Sequence, residues 1–416
     1  MPSEPQLVYV WLWMPGAISP VVAGVLGPRP EGGVRFAYGQ SYLQREDCIS
    51  LYEPELPLRR GWQSPGGIDL PGCINDAAPD AWGRRVIAAR LLGRGDRDED
   101  LGTLTSFVES GSDRIGALDF QQSPATYTAR PYDEAPLADL MRVAELVEEG
   151  APLPPALDQA LLHGTSIGGA RPKAILREGG RNLIAKFSSS TDQYKVVKGE
   201  YIAMDLARLA GLDVARVKIE AVLGRDVLLI ERFDRPRDGT RLAMVTAKTT
   251  LGLYGWQTAR YASYAALADH VREAFVEADS SLRELFARIA FNILTGNTDD
   301  HARNHSAFWD GKRLRLTPAY DICPQPRSGG EATQAMEIGP GDRRSALAAC
   351  VEHAHIFHLD ETAARSIIDE QVETIVANWS AVCDAGRLGE LDRGYFWGRQ
   401  FLNRYAFEGY GTWPLR

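Results

Sequence analysis

The chain has no apolar run of the roughly 18 residues that a membrane-crossing helix needs. Its amino terminus also lacks a basic segment followed by an apolar core and a small-residue cleavage site. No membrane association is expected, and a cytoplasmic location is. Cysteine is scarce: Cys48, Cys73, Cys323, Cys350 and Cys383 are odd in number, scattered, and free of any Cys-x-x-Cys pair. They read as reduced thiols in a reducing compartment. Positive charge is not in surplus either. The formal net charge of −9 argues against a chain that coats nucleic acid by itself, because phosphate contacts need excess Lys and Arg on one face. A partner could supply that contact. Internal repeats and low-complexity tracts are missing as well. At 416 residues the chain can bury a large core and divide into about two or three domains.

What is present is ordered along the chain. The first hundred or so residues alternate short apolar runs with Gly and Pro, as in LVYVWLWMPG and VVAGVLGPRPEGGVRFAYG, the pattern of antiparallel strands and turns. GCINDAAPDAWGRRVIAARLLG follows, with Asp80 and Trp82 leading a helix that Gly93 would end. The weakly apolar SPATYTARPYDEAP marks a boundary near residues 123–136. From Lys173, KAILRE and RNLIAKF flank Gly179 and Gly180, a hairpin signal that sets Lys186 on the face opposite Leu183, Ala185 and Phe187. QYKVVKGEYIAMDLARLAGL reads as a helix stopped by Gly211, and VLLIERFDR as a buried strand running into a turn. Beyond about residue 236 helices dominate. SLRELFARIAFNILTGN places Leu282, Leu285, Phe286, Ile289, Ala290, Ile293 and Leu294 at helical spacing, with Ser281 and Glu284 as a capping box. ETAARSIIDEQVETIVANW and LDRGYFWGRQFLNRY are later amphipathic helices by pattern.

The expected fold class is α+β: a bilobal, protein-kinase-like arrangement with a β-rich accessory subdomain at its start and a mainly helical C-lobe. The expected divisions are 1–130 for the accessory subdomain, 131–235 for the strand-rich lobe, and 236–416 for the lobe with the catalytic loop and metal site.

The chemistry concentrates in GNTDDHARN and the SAFWDGKRLRLTPAYD that follows it. Phosphoryl transfer needs an Asp to orient the attacking hydroxyl, an amide oxygen for a metal, and a carboxylate beyond a hairpin for the same metal. Asp299, Asn304 and Asp321 supply these in order. The hard oxygens of Asn304 and Asp321 suit Mg²⁺. Asp-x4-Asn alone is also the mark of a loop capped by its own side chains, so position before a hairpin and a further acid carries the reading. Asp300 is the rival for the catalytic role. His301 and His305 have helical zinc spacing but lack the Glu of a His-Glu-x-x-His site, and His301 is expected to support the loop through backbone or Asp299. Upstream, Lys186 would pair with ATP phosphates, held by Glu200 on the next helix. In GTSIGGARPK, Gly164, Gly168 and Gly169 would let backbone amides approach phosphate oxygens, beside the hydroxyls of Thr165 and Ser166.

With these residues assembled, the sequence resembles the HipA family of bacterial serine/threonine kinases, the toxin halves of HipBA-type toxin–antitoxin pairs. NDAAPDAWGRRVI, TSIGGARPK, LIAKF, KGEYIAMDLA, LLIERFDR, NILTGNTDDHARNHS and LTPAYDICP carry the resemblance, the last two most specifically. It implies ATP and Mg²⁺ as cofactors, Asp299 as catalytic aspartate, Asn304 and Asp321 as metal ligands, Lys186 on the phosphates, and Glu231 to Phe233 as the hinge near adenine. It implies autophosphorylation at Ser166, which switches relatives off. The implied partners are a HipB-like helix-turn-helix antitoxin, DNA through that antitoxin, and a protein acceptor such as an aminoacyl-tRNA synthetase. One segment departs: better-known relatives have His-Gln-Glu-Asp after the hinge, where this chain has MVTAKTTLGLYGW. Two other functions fit the same residues, a small-molecule or lipid kinase and a corepressor acting with a DNA-binding partner.

Overall fold

The structure is a computed structural model that describes residues 4–66, 68–93, 101–130, 135–151, 154, 157, 160, 162–166, 169–189, 192–255, 257–327 and 330–414. Its contacts divide the chain into two compact units: 1–191 with 220–245 and 308–312, and 192–219 with 246–307 and 313–416. The accessory region and the hairpin-bearing strands therefore share one unit. The helix after Lys186 belongs to the other.

In the first unit, β1 (Val8–Leu12), β2 (Val21–Pro28), β3 (Val34–Tyr38), β4 (Trp62–Gln63) and β5 (Leu118–Gln121) form an antiparallel sheet in the order β4-β3-β2-β1-β5. The cause is visible in β3, where Val34, Phe36 and Tyr38 are buried and Arg35 and Ala37 alternate with them. A side chain at Gly24 of β2 would stand 2.6 Å from the Phe36 ring, so glycine is what lets these strands pair.

The second sheet has the order β6-β7-β9-β8, from β6 (Lys173–Glu178), β7 (Arg181–Phe187), β8 (Val217–Val222) and β9 (Arg225–Glu231). Gly179 and Gly180 take φ of 55° and 73°, the left-handed pair that a tight hairpin demands. Leu183, Ala185 and Phe187 are buried with Val227 and Leu229 of β9; Lys186 lies on the other face, as expected.

The helices of seven residues or more among the described residues of this unit are α1 (Ala81–Leu92), α2 (Thr103–Glu109) and α3 (Leu137–Glu149). Gly93 ends α1 at φ 72°. Trp82 and Val86 of α1 and Leu140, Val143 and Val147 of α3 complete one core with β7 and β9. The Trp82 ring nitrogen donates to the Lys173 carbonyl at 2.9 Å, which stitches α1 to β6.

The second unit carries α4 (Val196–Leu209), α5 (Tyr264–Ala274), α6 (Ala278–Leu294), α7 (Glu361–Ala385) and α8 (Glu390–Phe396). All seven apolar positions expected on α6 are buried. Two local expectations fail. The capping box does not form, because the N-cap is Glu277, four residues before Ser281, and Glu284 is instead taken by Arg288 at 2.8 Å and the Asp213 backbone N–H at 3.2 Å. The pattern LDRGYFWGRQFLNRY is helical only to Phe396, after which Gly398 at φ 76° turns the chain back and the Gly398 N–H meets the Phe401 carbonyl at 2.8 Å. Among the described residues, no helix is long and apolar enough to cross a membrane.

Candidate active site

Helix α6 delivers the loop. Its last turn is buried, and Gly296 at φ 68° breaks it; a Cβ there would come within 2.7 Å of the Gln400 carbonyl oxygen. The Asn297 N–H returns to the Asn292 carbonyl at 2.8 Å, and the Asn304 N–H to that of His301 at 2.8 Å. From outside the loop, the backbone N–H groups of Ala247 and Lys248 reach the carbonyls of His305 and Ala302 at 2.7 and 3.0 Å. These lie within the stretch that departs from better-known relatives, so that stretch braces the loop from behind.

Asp299 is exposed and lies beside the acids Asp321 and Asp300. Partial burial, together with those acids, raises its pKa, against the opposing pull of the His301 ring. Asp300 is buried and accepts hydrogen bonds from Tyr264, Asn292 and His305. Burial pushes its pKa up, but the adjacent His305 and the hydrogen bonds from His305 and Tyr264 outweigh that and hold it below the usual range. A carboxylate 3% exposed, with three donors on its Oδ2, is poorly placed to reach a substrate hydroxyl. The Nδ1 atom of His301 makes no hydrogen bond among the described residues, contrary to expectation; the ring acts on Asp299 through charge.

Asn304 donates from Nδ2 to the Asp299 carbonyl at 3.4 Å, which turns its side-chain oxygen the other way. Asp321 is reached by a short strand-turn-strand. The Asp310 carboxylate caps the Lys312 N–H at 2.8 Å, and the Thr317 N–H closes on the Ser306 carbonyl at 3.0 Å. Ala319 is clasped by the Asp213 carbonyl at 2.7 Å and the Ala215 N–H at 2.9 Å. Asp321 itself holds φ 60°, a conformation that costs an L-residue energy and that Asp tolerates better than most. Asn297 Nδ2 lies 3.4 Å from its carbonyl. Asp299, Asn304 and Asp321 are thus brought together on one scaffold, two with oxygens suited to a hard cation. Glu200 is a buried residue of α4 in the same unit.

The remaining predicted residues belong to the first unit. Lys186 sits directly opposite Lys173 in the β6-β7 register. Glu231 ends β9 within 3.8 Å of Arg181, and Phe233 packs edge-on against Phe308 at 5.9 Å. Gly169 has φ 108°, while Gly168 lies outside the described residues. The hydroxyls of Thr165 and Ser166 are not presented to a ligand. Thr165 donates to the Leu162 carbonyl at 2.8 Å and accepts from the Gly111 N–H at 2.9 Å; Ser166, 1% exposed, donates to the Asp113 carbonyl at 3.0 Å.

Sequence reasoning missed what surrounds Asp113. Its carboxylate accepts from Arg232 at 3.0 Å and Arg235 at 2.9 Å, and both arginines also bind Asp234. Beside them Arg114 and Arg130 share Asp119. Nothing in the spacing of these residues reveals their meeting; only Arg232, Asp234 and Arg235, just past the buried strand, offered a hint.

The family model described as the HipA-like C-terminal domain matches residues 165–379, more than half of the chain, and the HipA N-terminal domain matches 16–121. The chain belongs to the HipA family. Y4dM of Sinorhizobium fredii, named as a candidate kinase, is 25% identical over 381 residues, covering 84% of this chain and 87% of that protein. The serine/threonine-protein kinase toxin HipA of Shewanella oneidensis is 27% identical over 188 residues, 38% of this chain and 42% of the toxin. A solved complex of Shewanella oneidensis HipA with HipB and operator DNA matches at a TM-score of 0.62 and 18% identity, covering 95% of this chain and 99% of that one. The α+β kinase-like fold expected of a HipA-family kinase is the fold found.

Proposed function

We propose that this HipA-family protein is an ATP- and Mg²⁺-dependent serine/threonine protein kinase and the toxin of a type II toxin–antitoxin pair. The observation that carries the reading is the pairing of an exposed Asp299 with Asn304 and Asp321 on a loop whose other acid, Asp300, is buried with three donors on its Oδ2. Asp299 would orient the acceptor hydroxyl and take its proton, and a raised pKa makes it the better base. Asn304, with its amide nitrogen engaged on Asp299, would offer its oxygen to Mg²⁺ together with the Asp321 carboxylate. Bound there, the ion would offset charge on the phosphoryl group being transferred. Lys186 would bind ATP phosphates, supported by Glu200, and Gly168 and Gly169 would let backbone amides approach them; Glu231 to Phe233 would border the adenine.

Ser166 is the proposed autophosphorylation site. In its present place the hydroxyl is buried on Asp113, so a phosphate bearing nearly two negative charges has no room there. Modification would hold the loop away from its docked position and weaken nucleotide binding. The solved complex named for HipA, HipB and operator DNA supports a HipB-like antitoxin as partner; we take it to be a helix-turn-helix protein that contacts the DNA, and a net charge of −9 accords with DNA binding by the partner rather than by this chain. A translation protein such as an aminoacyl-tRNA synthetase is the proposed acceptor.

Labelled ATP and phosphoproteomics after brief expression test this together. Asp299→Gln is expected to remove labelling of both itself and the acceptor without changing the melting temperature, and Ser166→Ala to remove only self-labelling. Turnover retained by Asp299→Gln would take Asp299 out of the catalytic role.

A further inference from the structure

We infer that Asp300 is a positioning residue whose buried carboxylate aims its neighbour Asp299 at the substrate. The inference rests on the proposed kinase role of Asp299. One oxygen of Asp300, Oδ2, accepts from three separate elements: the hydroxyl of Tyr264 at the start of α5, Nδ2 of Asn292 in the last turn of α6 at 2.7 Å, and Nε2 of His305 at 3.0 Å. Tyr264, Asn292, His305 and Asp300 are all buried. The His305 contact requires a proton on Nε2, because the Asp300 carboxylate oxygen can only accept.

The node closes the loop at both ends. Asn292, besides donating to Asp300, accepts from Asn297 Nδ2 at 3.0 Å, so the first residue of the loop is tied to the same point that His305 ties at its end. Between these anchors, turning Asp300 inward commits the preceding residue to the outside. Asp299 is exposed there, and among the described residues its carboxylate accepts no hydrogen bond. Three donors on a single buried oxygen form a stiff support, because releasing any one leaves a polar group unpaired away from water. A catalytic group misplaced by about 1 Å can lose about 100-fold in rate, which is the scale on which such a support matters. Two adjacent acids thus divide the work: one reacts, the other holds it in place.

The test compares Asp300→Asn, Tyr264→Phe and the double variant in the full-length protein, by steady-state kinetics and by hydrogen exchange of the loop amides. Asp300→Asn is expected to lower kcat by about 100-fold while KM for ATP moves less than about threefold. Amides of residues 297–305 should exchange faster, with those in the middle of α6 still protected. Tyr264→Phe, which removes one donor and is the milder change should Asp300→Asn fail to fold, is expected to lower kcat by about fivefold. The double variant should fall short of the product of the two single effects, because both act on one node. Unchanged kcat at full folding, or a kcat as low as that of Asp299→Gln with loop exchange unaltered, overturns the inference, the latter by making Asp300 the base. Wild type that transfers phosphate to no acceptor would sink the kinase role of Asp299 instead, and loop exchange in the variants would still decide whether Asp300 holds the loop.

Discussion

Asp234 is 2% exposed, and its carboxylate receives Arg232, Arg235 and the Gly116 N–H, the last at 2.8 Å. Burial pushes its pKa up, but the two arginines and these hydrogen bonds overcome that and hold it below the ordinary value. The folded pKa lies under the unfolded one, so the stability it contributes is fully present above the ordinary aspartate pKa of about 3.9 and is lost as pH falls through the depressed folded value. Asp119, beside Arg114 and Arg130, is depressed as well and acts in the same window. We therefore expect denaturation midpoints to be flat near neutrality and to fall steeply below about pH 4. Asp234→Ala should lower stability at pH 7 by about 1–3 kcal/mol, since Arg232 and Arg235 lose one of the two carboxylates they share and keep Asp113, and should flatten the acid slope. Urea titrations at several pH values measure both; an unchanged slope would show that the carboxylate is not paired as described.

At the scale of elements, the site depends on how α6 stops. Gly296 combines φ 68° with a Gln400 carbonyl 2.7 Å from where a Cβ would stand, so Gly296→Ala meets both strain and collision. A stability loss of about 1–3 kcal/mol is expected, together with a fall in kcat, read from chemical denaturation and single-turnover labelling. Much of this element pattern was legible in the amino acids. Apolar spacing marked α6, paired glycines marked the β6-β7 hairpin, and the order Asp299, Asn304, Asp321 survives as one cluster. Illegible were the places where a distant partner outbids a local motif. Glu284 leaves its capping box for Arg288 and Asp213, and Ser166 turns from the phosphate-binding role to a carbonyl 53 residues upstream. Asp300 was unreadable for a similar reason, because an acid next to the proposed catalytic acid reveals its burial only once Tyr264 arrives from another helix.

For the molecule as a whole, the accessory region behaves as part of the kinase's own core. Trp82, 1% exposed, and Val86, fully buried, pack with Phe187 and Leu229, and Asp113 receives Arg232 and Arg235 from just beyond β9. Removing residues 1–130 would expose the buried face of β7 and β9 and leave Arg232 and Arg235 with Asp234 as their remaining carboxylate. Uncovering a fully buried large side chain forfeits about 3–5 kcal/mol by itself, and losing the hydrogen bonds to Asp113 costs about 1–3 kcal/mol more, together a large share of the stability of a typical domain. A 131–416 fragment is therefore expected to lose its near-ultraviolet circular dichroism, bind a hydrophobic dye, and show no ATP-dependent rise in melting temperature. Were the fragment to melt cooperatively and bind nucleotide, residues 1–130 would be a separable accessory subdomain and the shared core around Trp82 would be dispensable.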